Sequence, residues 1–257
     1  GNRIENAQPL AASCNKGSIA LAHNGNISNA GLLNQELAEE GSIFQSSSDT
    51  ELTLHMIARS RAADFDSALR ETIGHLEGAF SMVMIHEDRL IALRDPWGFR
   101  PLYIGFAQET TVVASETCAL DMLKVRDYRE VEPGELIWID NTGLHSERFG
   151  PKTRPKRCVF ELIYFARPDS EVFSESVHMR RKAMGAALTV DESTEADMVV
   201  PVPDSGNSAA LGYAEASGLP LEHGLTRNHY AGRSFIMPTT SMRELAVRMK
   251  LHPVREA

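Results

Sequence analysis

Cysteine, positive charge and long apolar runs are all scarce in this chain of 257 residues. Three cysteines occur, Cys14, Cys118 and Cys158, odd in number and far apart. That argues against a disulfide-built scaffold and points to a reducing compartment, the cytoplasm. No apolar run reaches the roughly 20 residues of a membrane-spanning helix. The opening Gly1-Asn2-Arg3-Ile4-Glu5-Asn6 has no secretory-signal character. Lys and Arg number 26 against 35 Asp and Glu, a net charge of −9. That balance argues against a nucleic-acid partner, which needs a basic face. Apolar residues make up 42% of the chain, enough for one large domain or two ordinary ones.

The most informative segment is Ser18–Asn26 (SIALAHNGN). An apolar run ends in His23-Asn24-Gly25-Asn26, which predicts a strand running into a tight turn. Asn24 offers a side-chain amide and Gly25 an unshielded backbone N–H, the two donors that an oxyanion hole requires. Taken alone, Asn-Gly is more often just a hairpin turn. A second segment, Ser46-Ser47-Ser48-Asp49-Thr50-Glu51, puts the Asp49 carboxylate among hydroxyls, with Ser48 beside it, at a predicted helix start. Such a group is suited to hold an ammonium ion.

The pattern over residues 1–150 is mixed helix and antiparallel strand. Helices are predicted over 27–40, capped by Ser28 or Asn29, and over 49–62 and 68–76. Strands are predicted over 79–85, 90–93, 102–105, 111–115 and 135–139, joined by short polar turns. Arg94-Asp95-Pro96-Trp97-Gly98-Phe99-Arg100-Pro101 reads as a structural turn. Residues 150–157, basic and proline-bearing, read as a linker. Beyond them a helix is predicted over 174–188 and a buried strand over 197–202. A polar loop, Pro203-Asp204-Ser205-Gly206-Asn207-Ser208, then leads into a helix over 209–216. Strand, loop and helix make the start of a βαβ unit, whose loop is a ligand site.

The AHNGN and SSDTE elements resemble the class II glutamine amidotransferases. That resemblance implies that Asn24 and Gly25 stabilise the tetrahedral intermediate of glutamine hydrolysis and that Ser48 and Asp49 bind the substrate, Asp49 through the α-amine. It also implies the α-β-β-α sandwich of N-terminal-nucleophile hydrolases for residues 1–150. CVFELIYFARPDS, VVPVPDSGNSAALGYAEASGLP and GLTRNHYAGRSFIMP extend the match. With them the whole chain resembles the amidophosphoribosyltransferase family, glutamine-dependent pentosyltransferases that open purine biosynthesis. Residues 151–257 are then part of a type I phosphoribosyltransferase domain, so the fold class reads α+β followed by α/β.

The same resemblance implies glutamine and phosphoribosyl pyrophosphate as substrates, purine nucleotides as inhibitors and a homo-oligomer. It places Mg²⁺ at Ser205 and a mobile loop around Tyr230 and Arg233. Arg233, Arg243, Arg248 and Lys250 become candidates for phosphate contact, set against a bland reading as a solvated basic loop. Some family members bind a [4Fe-4S] cluster, which makes Cys158 a candidate ligand, although one cysteine is no cluster signal.

The chain also departs from the family pattern. The family's nucleophile is an N-terminal cysteine. Neither it nor the Arg-bearing segment that follows it is present, and the chain enters the pattern at Asn2–Leu10. The phosphoribosyl pyrophosphate motif is missing at the other end. The expectation is a fragment, inactive by itself. A catalytically dead glutamine- or nucleotide-binding module, or a subunit completed by a partner chain, stands as the alternative.

Overall fold

The computed structural model describes residues 4–108, 110–191, 195–230, 239–255 and 257. They fall into two compact units, Gly1–Cys158 and Val159–Ala257.

The first unit begins with β1 (Leu10–Cys14), β2 (Gly17–Ile27), α1 (Ala30–Glu39), α2 (Asp49–Arg59) and α3 (Phe65–His75). It continues with β3 (Gly78–His86), β4 (Arg89–Arg94), β5 (Tyr103–Ala107), β6 (Thr110–Ala114) and α4 (Thr117–Met122). It closes with β7 (Asp127–Glu130), β8 (Glu135–Asp140) and β9 (Gly143–Arg148). Antiparallel pairing joins six strands in the order β1-β2-β3-β4-β8-β9 and three in the order β6-β5-β7.

The two-residue alternation of each strand sorts its side chains into layers. Phe80, Met82 and Met84 of β3 pack with Ile91 and Leu93 of β4 against Leu52, Ile57, Leu69 and Ile73 of α2 and α3. Ala92 of β4 and Ile137 of β8 are out of phase with that set and meet Leu102, Ile104 and Val131. Tyr103 of β5 meets Leu120 of α4. The layers are therefore helices, large sheet, small sheet and helix, the α-β-β-α sandwich.

Several boundaries differ from the sequence reading. β2 does not turn at Asn24-Gly25: it runs on to Ile27, with Gly25 opposite Phe80 of β3. The first helix starts at Ala30, because Asn29 uses its side chain elsewhere. Its Nδ2 donates to His75 O and its Oδ1 accepts from Glu77 N. The third helix starts at Phe65, capped by Asp64, which accepts from Ser67 N at 2.8 Å.

The 94–101 turn is built around a buried guanidinium. Arg94, with 1% of its side chain exposed, donates to Arg100 O, Gly98 O, Val131 O and the Glu130 carboxylate. Residues 150–157 lie along this turn. Lys156 N donates to Trp97 O at 2.7 Å, Cys158 N donates to Phe99 O at 3.0 Å, and the Lys156 ammonium sits 4.1 Å over the Trp97 ring.

The second unit opens with a π-helical turn at Glu161–Phe165 and a short hairpin, β10 (Glu171–Val172) with β11 (Glu175–Ser176). Phe173 and Ser174 make the hairpin turn with positive φ, so the helix predicted from 174 begins later, as α5 (Val177–Asp191). α6 (Asn207–Ser217) packs closely on α5. At that contact a Cβ on Gly185 would stand 1.9 Å from Ala209 O, and one on Gly212 1.9 Å from Lys182 O. The strand predicted over 197–202 is reduced to one parallel bridge, Val199 with Leu221. β12 (Leu225–Arg227) pairs with β13 (Leu251–Pro253), and α7 (Thr240–Lys250) leads into the latter. No helix among the described residues is long and apolar enough to cross a membrane.

Candidate active site

The register of the large sheet determines what the edge of β2 offers. In an antiparallel ladder, successive residues turn their N–H and C=O alternately to the two neighbouring strands. Phe80 gives its N–H to the Asp95 carboxylate and accepts Asp95 N, so both of its groups face away from β2. Gly25, directly opposite Phe80, therefore turns its own N–H away from β3. On that side β1 pairs only as far as Leu10 with Leu21. Beyond this point the N–H groups of His23, Gly25 and Ile27 face an open edge. Gln8 Oε1 accepts from His23 N at 2.5 Å, and Asp49 Oδ2 accepts from Ile27 N at 2.9 Å. Between them, the Gly25 N–H is left pointing into a cavity.

That cavity has a volume of about 410 Å³ and is polar. Gly25, Asn26, Asn34, Ser48 and Asp49 line it, with Gln8 at its rim. The position tolerates only glycine. Gly25 has φ +154°, and a Cβ there would stand 1.9 Å from Ala79 O. The side chain of Asn24 is exposed and does not line this cavity; it projects from the opposite face of β2 to His23.

Asp49 is delivered by the start of α2. Ser48 is the N-cap, its Oγ accepting from Thr50 N. Glu51 turns back to accept from Gln45 N, Ser46 N and Ser46 Oγ, which orders the segment before the cap. The helix N-terminus itself favours an anionic side chain. Asp49 Oδ1 lies 3.4 Å from Nδ1 of His23, whose side chain is 1% exposed. Burial works to raise the Asp49 carboxyl, but His23 and the Ile27 N–H outweigh it and hold the group below its usual range. The result is an ionised carboxylate within one cavity of a free backbone donor.

Asn6, Gln8 and His23 escaped the sequence reading as site residues. Asn6 brackets Ser47, donating to its Oγ and accepting its N–H, and Gln8 Nε2 donates to Thr50 Oγ1. Asn6 and Gln8 form a polar pair at i and i+2 just ahead of β1, but nothing in that pattern assigns them to a site.

The other candidates lie in the second unit. Ser205 sits in the loop that enters α6, next to Asp204, which forms an ion pair with Arg227. His178 Nδ1 and Ser208 Oγ, 2.9 Å apart, tie α5 to the first turn of α6. Tyr230 is fully exposed. Arg233 and most of its loop lie outside the described residues. Arg243, Arg248 and Lys250 belong to α7, not to a basic loop, because Thr239 caps that helix by accepting from Met242 N.

A Ser hydroxyl fits Mg²⁺ that brings phosphate oxygens and water as its other ligands. Among the described residues no three His, Cys, Asp or Glu side chains gather to hold a metal by themselves. Cys158 stands alone as a thiolate candidate, and one thiolate does not fit a four-cysteine cluster.

Comparison with known proteins bears on the family of the chain. A glutamine amidotransferase domain family matches residues 2–122. The chain is 49% identical over 253 residues to amidophosphoribosyltransferase 1 (chloroplastic) of Arabidopsis thaliana, covering 98% of this chain and 45% of that protein. It is 48% identical over 256 residues to the amidophosphoribosyltransferase of Bacillus subtilis, covering 99% of this chain and 54% of that one. A solved structure of glutamine phosphoribosylpyrophosphate amidotransferase from B. subtilis, complexed with ADP and GMP, superposes with a TM-score of 0.89. It is 47% identical and covers 100% of this chain and 57% of its own. The chain thus spans about half the length of the curated relatives it matches.

Proposed function

The chain belongs to the amidophosphoribosyltransferase family, and on that premise we propose that the protein carrying it makes 5-phosphoribosylamine from glutamine, water and phosphoribosyl pyrophosphate. Glutamate and pyrophosphate are the other products, and the step opens purine biosynthesis. One observation carries the reading of the first unit: an unpaired Gly25 N–H shares a cavity with the Asp49 carboxylate. In this reading Asp49 takes the α-ammonium of glutamine, with Ser48 beside it. The cysteine thiolate of the family's N-terminus attacks the amide carbon. Gly25 N–H and the Asn24 amide receive the developing oxyanion. Because Asn24 is exposed on the other face of β2, its share requires β2 to rearrange locally at Asn24-Gly25 when substrate binds.

In the second unit, Ser205 and the start of α6 hold the pyrophosphate end of the second substrate. Mg²⁺, when bound there, supplies charge neutralisation for the leaving group. Tyr230 and Arg233 belong to the loop over this substrate, and Arg243, Arg248 and Lys250 are offered as phosphate contacts from α7. Purine nucleotides are proposed as regulators, because the similar B. subtilis enzyme forms a complex with ADP and GMP. A reducing compartment suits three free cysteines; the cytoplasm is the proposed setting, although some relatives are chloroplastic.

The test is glutamine hydrolysis by the full-length protein. Asn24→Ala lowers kcat by about 10²-fold, the usual loss for one oxyanion donor. Asp49→Ala raises KM for glutamine, while both variants keep ammonia-dependent synthesis. Unchanged glutamine turnover in both variants refutes the assignment.

A further inference from the structure

A buried imidazole with no role in the proposed reaction stands beside the cavity. His23 lies on β2 two residues before Gly25, in register with Met82 of β3. Its Nδ1 faces Asp49 Oδ1 at 3.4 Å. Its Nε2 is buried without a hydrogen-bond partner and lies 2.8 Å from where a Cβ on Gly25 would sit. The ring therefore stands behind the cavity wall, with Nδ1 toward the carboxylate and Nε2 toward Gly25. Burying such a nitrogen unpaired is unfavourable, so the opposite nitrogen must offset that cost.

We propose that His23 is a positioning residue for the amine end of glutamine, fixing the Asp49 carboxylate in the orientation that receives the α-ammonium. The inference rests on the glutaminase reading above. Asp49 has two oxygens and two fixed partners. The Ile27 N–H holds Oδ2, and the His23 Nδ1–H holds Oδ1. Neither partner alone determines the plane of the carboxylate; both together do. The in-plane lone pairs left over then face the cavity. Nδ1 carries the proton in this arrangement, because Asp49 can only accept when ionised. His23 touches neither the reacting amide nor the nucleophile, so it acts through Asp49. This separates it from a general base.

The experiment compares two substrates on the full-length protein: glutamine, and glutaramate, which has the same amide but no α-amine. With His23→Leu, kcat/KM for glutamine falls about tenfold, an effect of about 1.4 kcal/mol, while glutaramate changes less than about twofold. His23→Asn, whose amide can still donate to Oδ1, recovers most of the loss. In an Asp49→Asn background His23→Leu adds nothing further. Equal losses on both substrates, or a full additive loss in the Asp49→Asn background, overturn the proposal. His23→Ala replaces His23→Leu if the latter does not fold. A second readout needs no turnover: the Asp49 carboxyl titration, followed by ¹³C NMR, moves up in His23→Leu. No movement there overturns the proposal even if the protein proves not to hydrolyse glutamine. Wild-type protein that lacks glutaminase activity refutes the functional reading and leaves this readout to decide the role of His23.

Discussion

Gly25 and Ala79 approach so closely across β2 and β3 that the carbonyl oxygen of Ala79 occupies the place of a Gly25 side chain, 1.9 Å from an ideal Cβ. The strand pair and the proposed oxyanion donor thus depend on the same missing methyl group. Gly25→Ala meets both this backbone clash and the strain of φ +154°. Its expected cost is about 2–4 kcal/mol of stability. Because β2 must shift, glutamine hydrolysis falls by more than about 10²-fold, beyond the loss of a single donor. Thermal denaturation and a glutaminase assay on full-length protein check both. A variant with native melting and native turnover would refute the requirement for glycine at this position.

The acid response of the first unit follows from Glu135. Burial works to raise its carboxyl, but Arg129, Ser146 Oγ and Glu132 N–H outweigh this and hold it below its ordinary value of 4.5. Arg129 grips both oxygens, at 2.8 and 2.7 Å. A carboxyl depressed on folding contributes stability that is complete above its unfolded pKa and is lost as pH falls through the folded one. Stability of this unit should therefore decline from about pH 5 downward. Asp49 and Glu51 are depressed as well and add to the slope. Asp95 works against it, since burial raises its carboxyl above the ordinary 3.8. Glu135→Gln should be less stable at pH 7 and show a shallower loss between about pH 5 and 3, measured by urea denaturation. An unchanged slope would assign the acid sensitivity to other groups.

How much of this was legible beforehand depended on whether the deciding contact was local. The cap of α2 was readable from Ser48 and Glu51, because the reciprocal bonding of a helix start lies within a few residues. The layer order was readable only through resemblance, since alternation in one strand does not say which sheet it faces. Gly25 was misread as a turn because its reason is Ala79, far along the chain. α7 was missed although Thr239, and Arg248 and Lys250 in its last turn, are ordinary helix-end signals. The 197–202 run failed as a strand because it meets Leu221 at a single bridge. Gln8 and His23 could not be found by pattern at all, since their roles come from where β1 stops.

Gly185 and Gly212 set the approach of α5 to α6. At each, a Cβ would stand 1.9 Å from a backbone carbonyl of the facing helix, Ala209 O and Lys182 O respectively. Backbone cannot rotate away as a side chain can, so the helices must separate. Gly185→Ala and Gly212→Ala should each cost about 1–3 kcal/mol, despite the better helix propensity of alanine. Hydrogen exchange in the full-length protein should speed up across both helices and leave β3 and β4 unchanged. Exchange that rises at the substituted helix alone would mean that the two do not open together.

Gln8 completes the edge of β2 where β1 has ended. Its Oε1 takes the His23 N–H at 2.5 Å, and its Nε2 donates to Thr50 Oγ1 at 3.1 Å, so one amide ties β2 to the start of α2. Without it, two neighbouring N–H groups would face the cavity, and the edge strand would lose its link to the helix that carries Asp49. Gln8→Leu removes both bonds while roughly keeping volume. Gln8→Glu keeps the acceptor for His23 N–H and can still meet Thr50, whose hydroxyl then donates. Leucine should therefore expose the His23 amide to rapid hydrogen exchange and lower kcat/KM for glutamine about tenfold, roughly the 1.4 kcal/mol of one lost buried hydrogen bond. Glutamate should keep that amide protected. Its added charge beside Asp49 should raise the acid limb of the glutamine pH profile, since two nearby carboxylates resist ionising together. Equal exchange at His23 in both variants would show that Gln8 does not hold this edge.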